Sequence, residues 1–354
     1  MEFGLSEEQT QLQDTVNRYL NDASSLDAVR RFVENPEQDV WPGLVELGVP
    51  GILVDEAAGG LGLSCLDAAL VAEALGSHTA PSPFLGSAVM APLALRLSGS
   101  NPEDLLSQLV SGSATVGIAF GEAIAARAGA GVISQDGCLS GTALFVIDSG
   151  ASHYLVADQS RSLFLVDADA QGLTQRALTT IDRTRPTTEL KFAKTPALKL
   201  TEDPAVFQQV LNSGRVMLAA DTLGAAQNML DQAVEYAKQR EQFNRPIGSF
   251  QAVKHMCAEM AASLEPCRAL VWYAAHSQDQ VPEEATLMAC HAKAHLAEVG
   301  TFVARTATEV HGGMGFTDLL GLHYWFKRIG WNRQLLGAPE LVREEAARAQ
   351  QLVA

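Results

Sequence analysis

The stretch Tyr236–Gln251, YAKQREQFNRPIGSFQ, decides how the rest of the chain is read. Upstream of it, Phe207, Val210, Leu211, Leu218, Leu230, Val234 and Ala237 recur at mixed three- and four-residue spacings, which predicts a single helix over 204–242. That helix cannot pass Pro246, which has no backbone N–H and turns Arg245 away from helical angles. Gly248 then relaxes the backbone, and Ser249 is placed to accept from the first free N–H groups of a new helix. A helix end therefore meets a helix start, with Arg240 and Phe243 on one side and Gln251 on the other. Taken alone, Arg-Glu-Gln-Phe before a turn is an ordinary solvated helix end. A fixed cation, a ring and a fresh helix start together also suit a phosphate and an adenine.

Outward from this stretch, helical patterns predict segments at 204–242, 249–277, 282–311 and 319–335, and the charged tail LVREEAARAQ reads as helical too. Asp203 followed by Pro204 makes an N-cap and a first helical position. A helix of about 35 residues is roughly 50 Å long, long enough to offer a bundle face to another subunit. Pro266, inside the second helix, predicts a kink. Toward the N-terminus, residues 6–110 read as helices: Ser6 with Gln9 forms a capping box for a helix through Leu20, and Asp67–Leu75 forms a short apolar helix. The glycines before it, Gly59, Gly60 and Gly62, lack a preceding strand and a phosphate-loop lysine, so they read as a packing turn. Between the helical parts, from Ala114, the runs TVGIAF, ALFVI, HYLVA, SLFLV and TELKF alternate with Gly, Asp and Ser, the pattern of an all-β unit ending near Leu200. The expectation is an α+β chain of three domains: helical over 1–112, β over 113–202 and a helical bundle over 203–354.

Composition narrows the function. The 354 residues exceed one ordinary core, and 47% hydrophobic with 19% charged residues describes a well-buried protein. A net charge of −16 argues against a nucleic-acid partner, which needs a basic surface. Cys65, Cys138, Cys257, Cys267 and Cys290 are odd in number and include no Cys-x-x-Cys pair, as expected of reduced thiols. The N-terminus MEFGLSEEQTQLQ is acidic and polar, and no apolar run approaches a membrane span, so a soluble, cytoplasmic protein away from membranes is expected.

The string around Arg240, Phe243 and Gln251 resembles the signature of the acyl-CoA dehydrogenase family. Two further stretches agree: GVPGILVDEAAGGLGLSCLDAALVAEALG (Gly48–Gly76) resembles the family's N-terminal domain, and EVHGGMGFT (Glu309–Thr317) its second FAD-contacting loop. The resemblance spans nearly the whole chain. It implies the acyl-CoA dehydrogenase fold: an N-terminal helical domain, a β-barrel-like middle domain and a C-terminal four-helix bundle. It also implies FAD as cofactor, an acyl-CoA substrate, and an electron-transfer flavoprotein or similar acceptor. By the same resemblance Arg240, Phe243 and Gln251, with Gln242, Ile247 and Phe250 beside them, contact the ADP half of an FAD held mainly by a neighbouring subunit. Glu309, Gly312 and Gly313 form the second contact, with Glu309 standing where the family commonly has Gln.

What the family's chemistry needs is missing elsewhere. Removing an α-proton while the β-hydrogen leaves as hydride requires a carboxylate base. The family places it most often as a Glu before Gly near the end of the chain, and here Leu336 precedes Gly337. Some members carry it on the first bundle helix just before an Arg, and here Gly214 precedes Arg215. The family's T-E-P-x-A-G-S-D stretch is FGEAIAARAG (Phe120–Gly129), and its aromatic-Ile-Thr/Ser contact corresponds to Phe145, Val146 and Ile147, so both sets of hydroxyls are gone. The resemblance therefore implies a non-catalytic subunit beside a homologous catalytic subunit in an α2β2 heterotetramer, of the kind that acts on CoA thioesters of steroid side chains. The alternatives are a self-sufficient homomeric enzyme with a displaced base, Asp221 or Glu241, and a non-enzymatic scaffold derived from the family. The small residues Gly214, Ala219 and Gly224 are open to two readings, room for a bulky acyl group or close helix packing.

Three other groups stay open. His291, His295 and Glu298 share a helix face that reads as solvated, with no metal assigned. His311 at a helix C-terminus is either a cap, favoured as imidazolium by the dipole, or a cofactor contact. Asp182, Arg183 and Arg185 read as an exposed loop cluster or a CoA phosphate contact.

Overall fold

The computed structural model describes residues 4–36 and 40–353. The N-terminal part is helical: α1 (Glu7–Ala23), α2 (Leu26–Glu34), α3 (Trp41–Glu46), α4 (Cys65–Ser77), α5 (Ala91–Ser98) and α6 (Leu105–Val110). The predicted capping box is present on α1, where the Ser6 hydroxyl accepts from Gln9 N–H and Gln9 reaches back to Ser6 N–H. α4 has a second one from Ser64 and Asp67.

The sheet follows: β1 (Val116–Ala119), the short helix α7 (Gly121–Ile124), β2 (Gly131–Gln135), β3 (Cys138–Ile147), β4 (His153–Ala157), β5 (Leu163–Asp167), β6 (Leu173–Leu178), β7 (Thr187–Pro196) and β8 (Leu198–Thr201). Strands pair in the order β6-β7-β3-β1-β4-β5-β8, with β2 added on β3. β1 and β4 are parallel, and the other pairs are antiparallel. Alternation divides the central strands between two cores: Tyr154, Val156, Phe164 and Val166 fill a core within the sheet, while Leu155, Ala157, Leu163 and Leu165 join the main helical core. Burial on both faces is why these strands read as unbroken apolar runs.

The bundle is α8 (Pro204–Gln239), a two-strand ribbon of β9 (Glu241–Gln242) and β10 (Arg245–Pro246), then α9 (Gln251–Gln280), α10 (Pro282–His311), α11 (Leu322–Gln334) and α12 (Pro339–Ala349). The Asp203 carboxylate caps α8 by accepting from Ala205 N–H at 2.8 Å. α9 runs as one helix across Pro266.

Glycine decides how closely α4 and α8 cross. A Cβ at Gly76 would lie 1.9 Å from the Asp221 carbonyl oxygen, and one at Gly224 would lie 1.8 Å from that of Glu73. Gly224 therefore serves close packing, which settles its part of the open reading. Gly214 faces side chains instead, as described below.

Candidate functional site

The nucleotide-type station forms where α8 and α10 end together. The Tyr236 and His311 rings lie against each other, tilted by 32°, with centroids 4.6 Å apart, so Arg240, one turn beyond Tyr236, and Gly312, next after His311, share one end of the bundle. α8 stops at Gln239, short of the expected 242, and Arg240 is its exposed C-cap. The chain then turns in a tight hairpin, where Phe243 (φ 55°) and Asn244 (φ 61°) both take left-handed angles. Two-residue turns of this hand favour Asn or Gly, so a Phe here is strained. Its ring is 87% exposed, meets Phe250 edge-on at 6.0 Å, and Phe250 in turn carries the Arg245 guanidinium at 4.0 Å.

Gln242 and Gln251 are exposed, and Ile247 and Phe250 are half-buried. Ser249 does not cap α9, contrary to expectation. It lies in a 3-10 turn, and Phe250 occupies the N-cap with no side-chain acceptor. The first N–H groups of a 30-residue helix are thus free of a protein cap beside Arg240 and Arg245, an arrangement suited to an anion. Glu309 is exposed on the last turn of α10, and Gly312 adopts φ 59°, ψ −138°, open only to glycine. His311 is buried, its Nδ1 lies 2.7 Å from the Ala307 carbonyl, and burial pushes its pKa down. Of the two open readings, an imidazolium cap is disfavoured by this burial, and the ring lies tilted against Tyr236.

A second feature lies between α7, β3 and the segment joining α11 to α12. It is a cavity of about 170 Å³ whose lining includes Ile118, Phe120, Ile147, Leu335, Leu336 and Leu341. Among the described residues no hydroxyl and no carboxylate lines it; Arg127 and Gln334 supply its polar side chains. A bulge in β3 between Ala143 and Val146 puts Phe145 at φ 53°, with its ring edge-on to Trp331 at 5.6 Å and the Arg127 guanidinium 5.5 Å above it. Arg127 is bound by Glu122 at 2.8 Å, and burial pushes that carboxyl up against the pull of the arginine.

The two positions where the family resemblance would place a base meet in space. A Cβ on Gly214 would lie 2.7 Å from Leu336 Cδ1 and 2.7 Å from Met90 Sδ, so aliphatic side chains fill the place of a carboxylate. Leu336, at φ 54°, is held through its carbonyl by Arg215 Nε at 3.0 Å. Arg215 is fully buried and binds Glu345 at 2.8 Å. Burial pushes the Glu345 carboxyl up, but Arg215 outweighs it and holds the group below its usual range.

Asp182 and Arg185 are buried, which overturns the reading of an exposed cluster; Arg183 alone of the three is exposed. Arg185 and Arg328 close on Asp221 at 3.0 and 2.9 Å, and Asn332 adds a bond of 2.6 Å. Arg328 also donates to Thr184 Oγ1 at 2.9 Å and to the Ala80 carbonyl at 3.1 Å, joining the N-terminal helices, the sheet and the bundle. Burial alone would raise the Asp221 pKa, yet the two arginines hold it down, and both carboxylate oxygens are engaged by Arg185, Arg328 and Asn332. Glu241, the other candidate base, is exposed in the hairpin and outside the cavity lining. Glu298 is paired with Arg333 and Arg343 at 3.1 and 3.5 Å.

Lys293 escaped the sequence reading, although Ala289, Lys293, Leu296 and Gly300 fall on one buried stripe of α10. Its ammonium has no carboxylate partner among the described residues and donates to the Arg333 and Gly337 carbonyls, each at 3.1 Å. Burial first, then Arg215 and Arg333, lower its pKa from 10.5 to about 7. Because the unfolded chain binds this proton and the folded chain sheds it between those values, the group's contribution to stability rises with pH from about 7 upward, by at most about 1.4 kcal/mol per unit. The stability of the native chain relative to Lys293→Met should therefore rise between pH 7 and 9 in urea titrations, and a flat difference would refute this.

Comparison with known proteins agrees with this architecture. Residues 6–113 match the model of the acyl-CoA dehydrogenase N-terminal domain and residues 205–351 that of the C-terminal domain. The chain is 30% identical to acyl-CoA dehydrogenase IpdE2 of Mycobacterium tuberculosis over 95% of each protein. It superposes on a variant of the Tcur3481-Tcur3483 steroid ACAD with a TM-score of 0.90, at 30% identity and 98% coverage of each chain. It also superposes on a chain of the ChsE4-ChsE5 complex from Mycobacterium tuberculosis with a TM-score of 0.90, at 26% identity and 100% coverage of each. The chain belongs to the acyl-CoA dehydrogenase family. Its class is therefore that of FAD-dependent oxidoreductases of acyl-CoA thioesters. Tested against FAD, the Arg240 station offers the cations, ring and free helix N-terminus that an ADP group requires. The cavity beside Leu336 does not fit the flavin ring, because no hydroxyl lines it and Phe145, Trp331 and Arg127 pack against its wall. Among the described residues no helix is long and apolar enough to cross a membrane.

Proposed function

We propose that this chain is the non-catalytic subunit of a heteromeric acyl-CoA dehydrogenase, lending ADP-end contacts to an FAD whose ring, with its catalytic base, belongs to a homologous partner. The observation that carries this reading is the contact of Leu336 with Gly214, which fills the place of a base with hydrocarbon. Arg240 grips the pyrophosphate through paired charge-assisted bonds, and the exposed Phe243 ring packs on the adenine. Gln251 and Gln242 supply amides to the ribose side, with Ile247 and Phe250 backing the turn. Gly312 and Gly313 let the backbone approach the same group, and Glu309 faces its ribose. When bound, FAD supplies the hydride acceptor; proton abstraction is the partner's task. Similarity to a steroid ACAD and to a named two-subunit complex supports an α2β2 assembly acting on a CoA ester of a steroid side chain. A flavoprotein acceptor and a cytoplasmic setting complete the reading. Against a self-sufficient enzyme stands the commitment of Asp221, Glu122 and Glu345 to arginines.

The chain purified alone is expected to carry little or no flavin absorption. One flavin per chain would defeat the reading.

A further inference from the structure

The cavity beside Leu336 is more than a leftover gap. Two bulky residues in left-handed backbone, Phe145 at φ 53° and Leu336 at φ 54°, both line it. Each is pinned: Phe145 lies between Trp331 and Arg127, and the Leu336 carbonyl is held by Arg215 at 3.0 Å. Strained positions persist only where the surroundings fix them, and they concentrate at ligand sites. The cavity's size is also informative. At about 170 Å³ it matches the roughly 150 Å³ apolar hole known to admit benzene.

The lining sets the polarity. Arg127, whose side chain is 40% exposed, and Phe145, which is 38% exposed, are partly solvent-accessible residues of the lining. The guanidinium has five N–H donors, and Glu122 engages it through Nη1 at 2.8 Å, leaving others for a ligand acceptor. An anionic ligand on the remaining donors would sit near the Glu122 carboxylate, which lies behind the lining on the same guanidinium at 2.8 Å, is 3% exposed and is poorly screened by water. A neutral acceptor meets the arginine without that repulsion.

We propose that this cavity binds an uncharged compound built on one six-membered ring with a single carbonyl acceptor, its body among Phe120, Ile147, Leu336 and Leu341 and its oxygen on Arg127. The proposal rests on the reading that the flavin ring is seated in the partner, since a ring of the cofactor would compete for the same wall.

The experiment is a titration of the flavin-free full-length chain, followed by ligand-detected NMR, with cyclohexanone, cyclohexanecarboxylate, cyclohexane and riboflavin. Cyclohexanone should bind saturably in the millimolar range expected of so small a molecule, up to about tenfold tighter than the carboxylate. Ala125→Phe, which fills the lining at an extended backbone position, should abolish binding, and Ala338→Leu serves if that variant does not fold. The double variant Glu122→Gln with Arg127→Gln should weaken cyclohexanone several-fold and leave cyclohexane unchanged. Absence of cyclohexanone binding, preference for the carboxylate, or equal binding to the filled variants overturns the proposal and leaves the subunit reading intact. Stoichiometric binding of riboflavin would overturn both.

Discussion

Replacing Asp221 with alanine is expected to destabilise the chain by about 3–5 kcal/mol, a large share of the stability of any domain. The side chain is 4% exposed and accepts from Arg185, Arg328 and Asn332, so its removal leaves two guanidinium groups buried side by side. Arg328 also fastens Ala80 and Thr184, so the loss would reach the N-terminal helices and the sheet as well as the bundle. Urea unfolding of the purified variant measures the effect. A change below about 0.5 kcal/mol would mean that the three charges are not a coupled buried unit.

Arg240→Ala is the second large effect, and it appears only in the assembled complex. The residue is an exposed C-cap whose backbone N–H already serves α8, so the fold should be untouched. Losing charge-assisted bonds to a pyrophosphate costs about 1.5–3 kcal/mol, or roughly ten- to hundredfold in FAD retention. Dilution of the complex followed by flavin fluorescence of the released cofactor would read this. Unchanged retention with unchanged activity would reduce Arg240 to a surface charge.

The long elements were legible because their signals are local. Asp203-Pro204 marks the start of α8 by cap and fixed φ, and Ser6 with Gln9 marks α1. β6 escaped because the four residues between its half-buried end leucines are all exposed and carry no alternation; its pairing with β7 holds it, assisted by Arg176 bound to Glu189. The hairpin at 241–246 escaped for another reason. Its turn lacks Gly, and the left-handed angle at Phe243 is imposed by context rather than by the residue.

The site was legible in its parts and not in their meeting. That Leu336 and Gly214 are aliphatic is visible in the sequence, but that Leu336 packs on Gly214 depends on a contact across more than a hundred residues. The burial of Asp182 and Arg185 was not legible because charged loop residues ordinarily face water, whereas here Arg185 pairs with Asp221 and Asp182 accepts from Thr184. Lys293 shows the same limit, since a lysine among alanines gains a buried role only from the carbonyls that α11 and its following turn present.

The central claim is that this chain holds one end of a shared flavin and has lost the other. If the assembly is two such chains with two complete partners, only two of its four positions can form a whole flavin site. Native mass together with flavin titration of the co-expressed complex tests this most directly. Two FAD per heterotetramer is the predicted result; four FAD, or an active homotetramer of this chain alone, would contradict it.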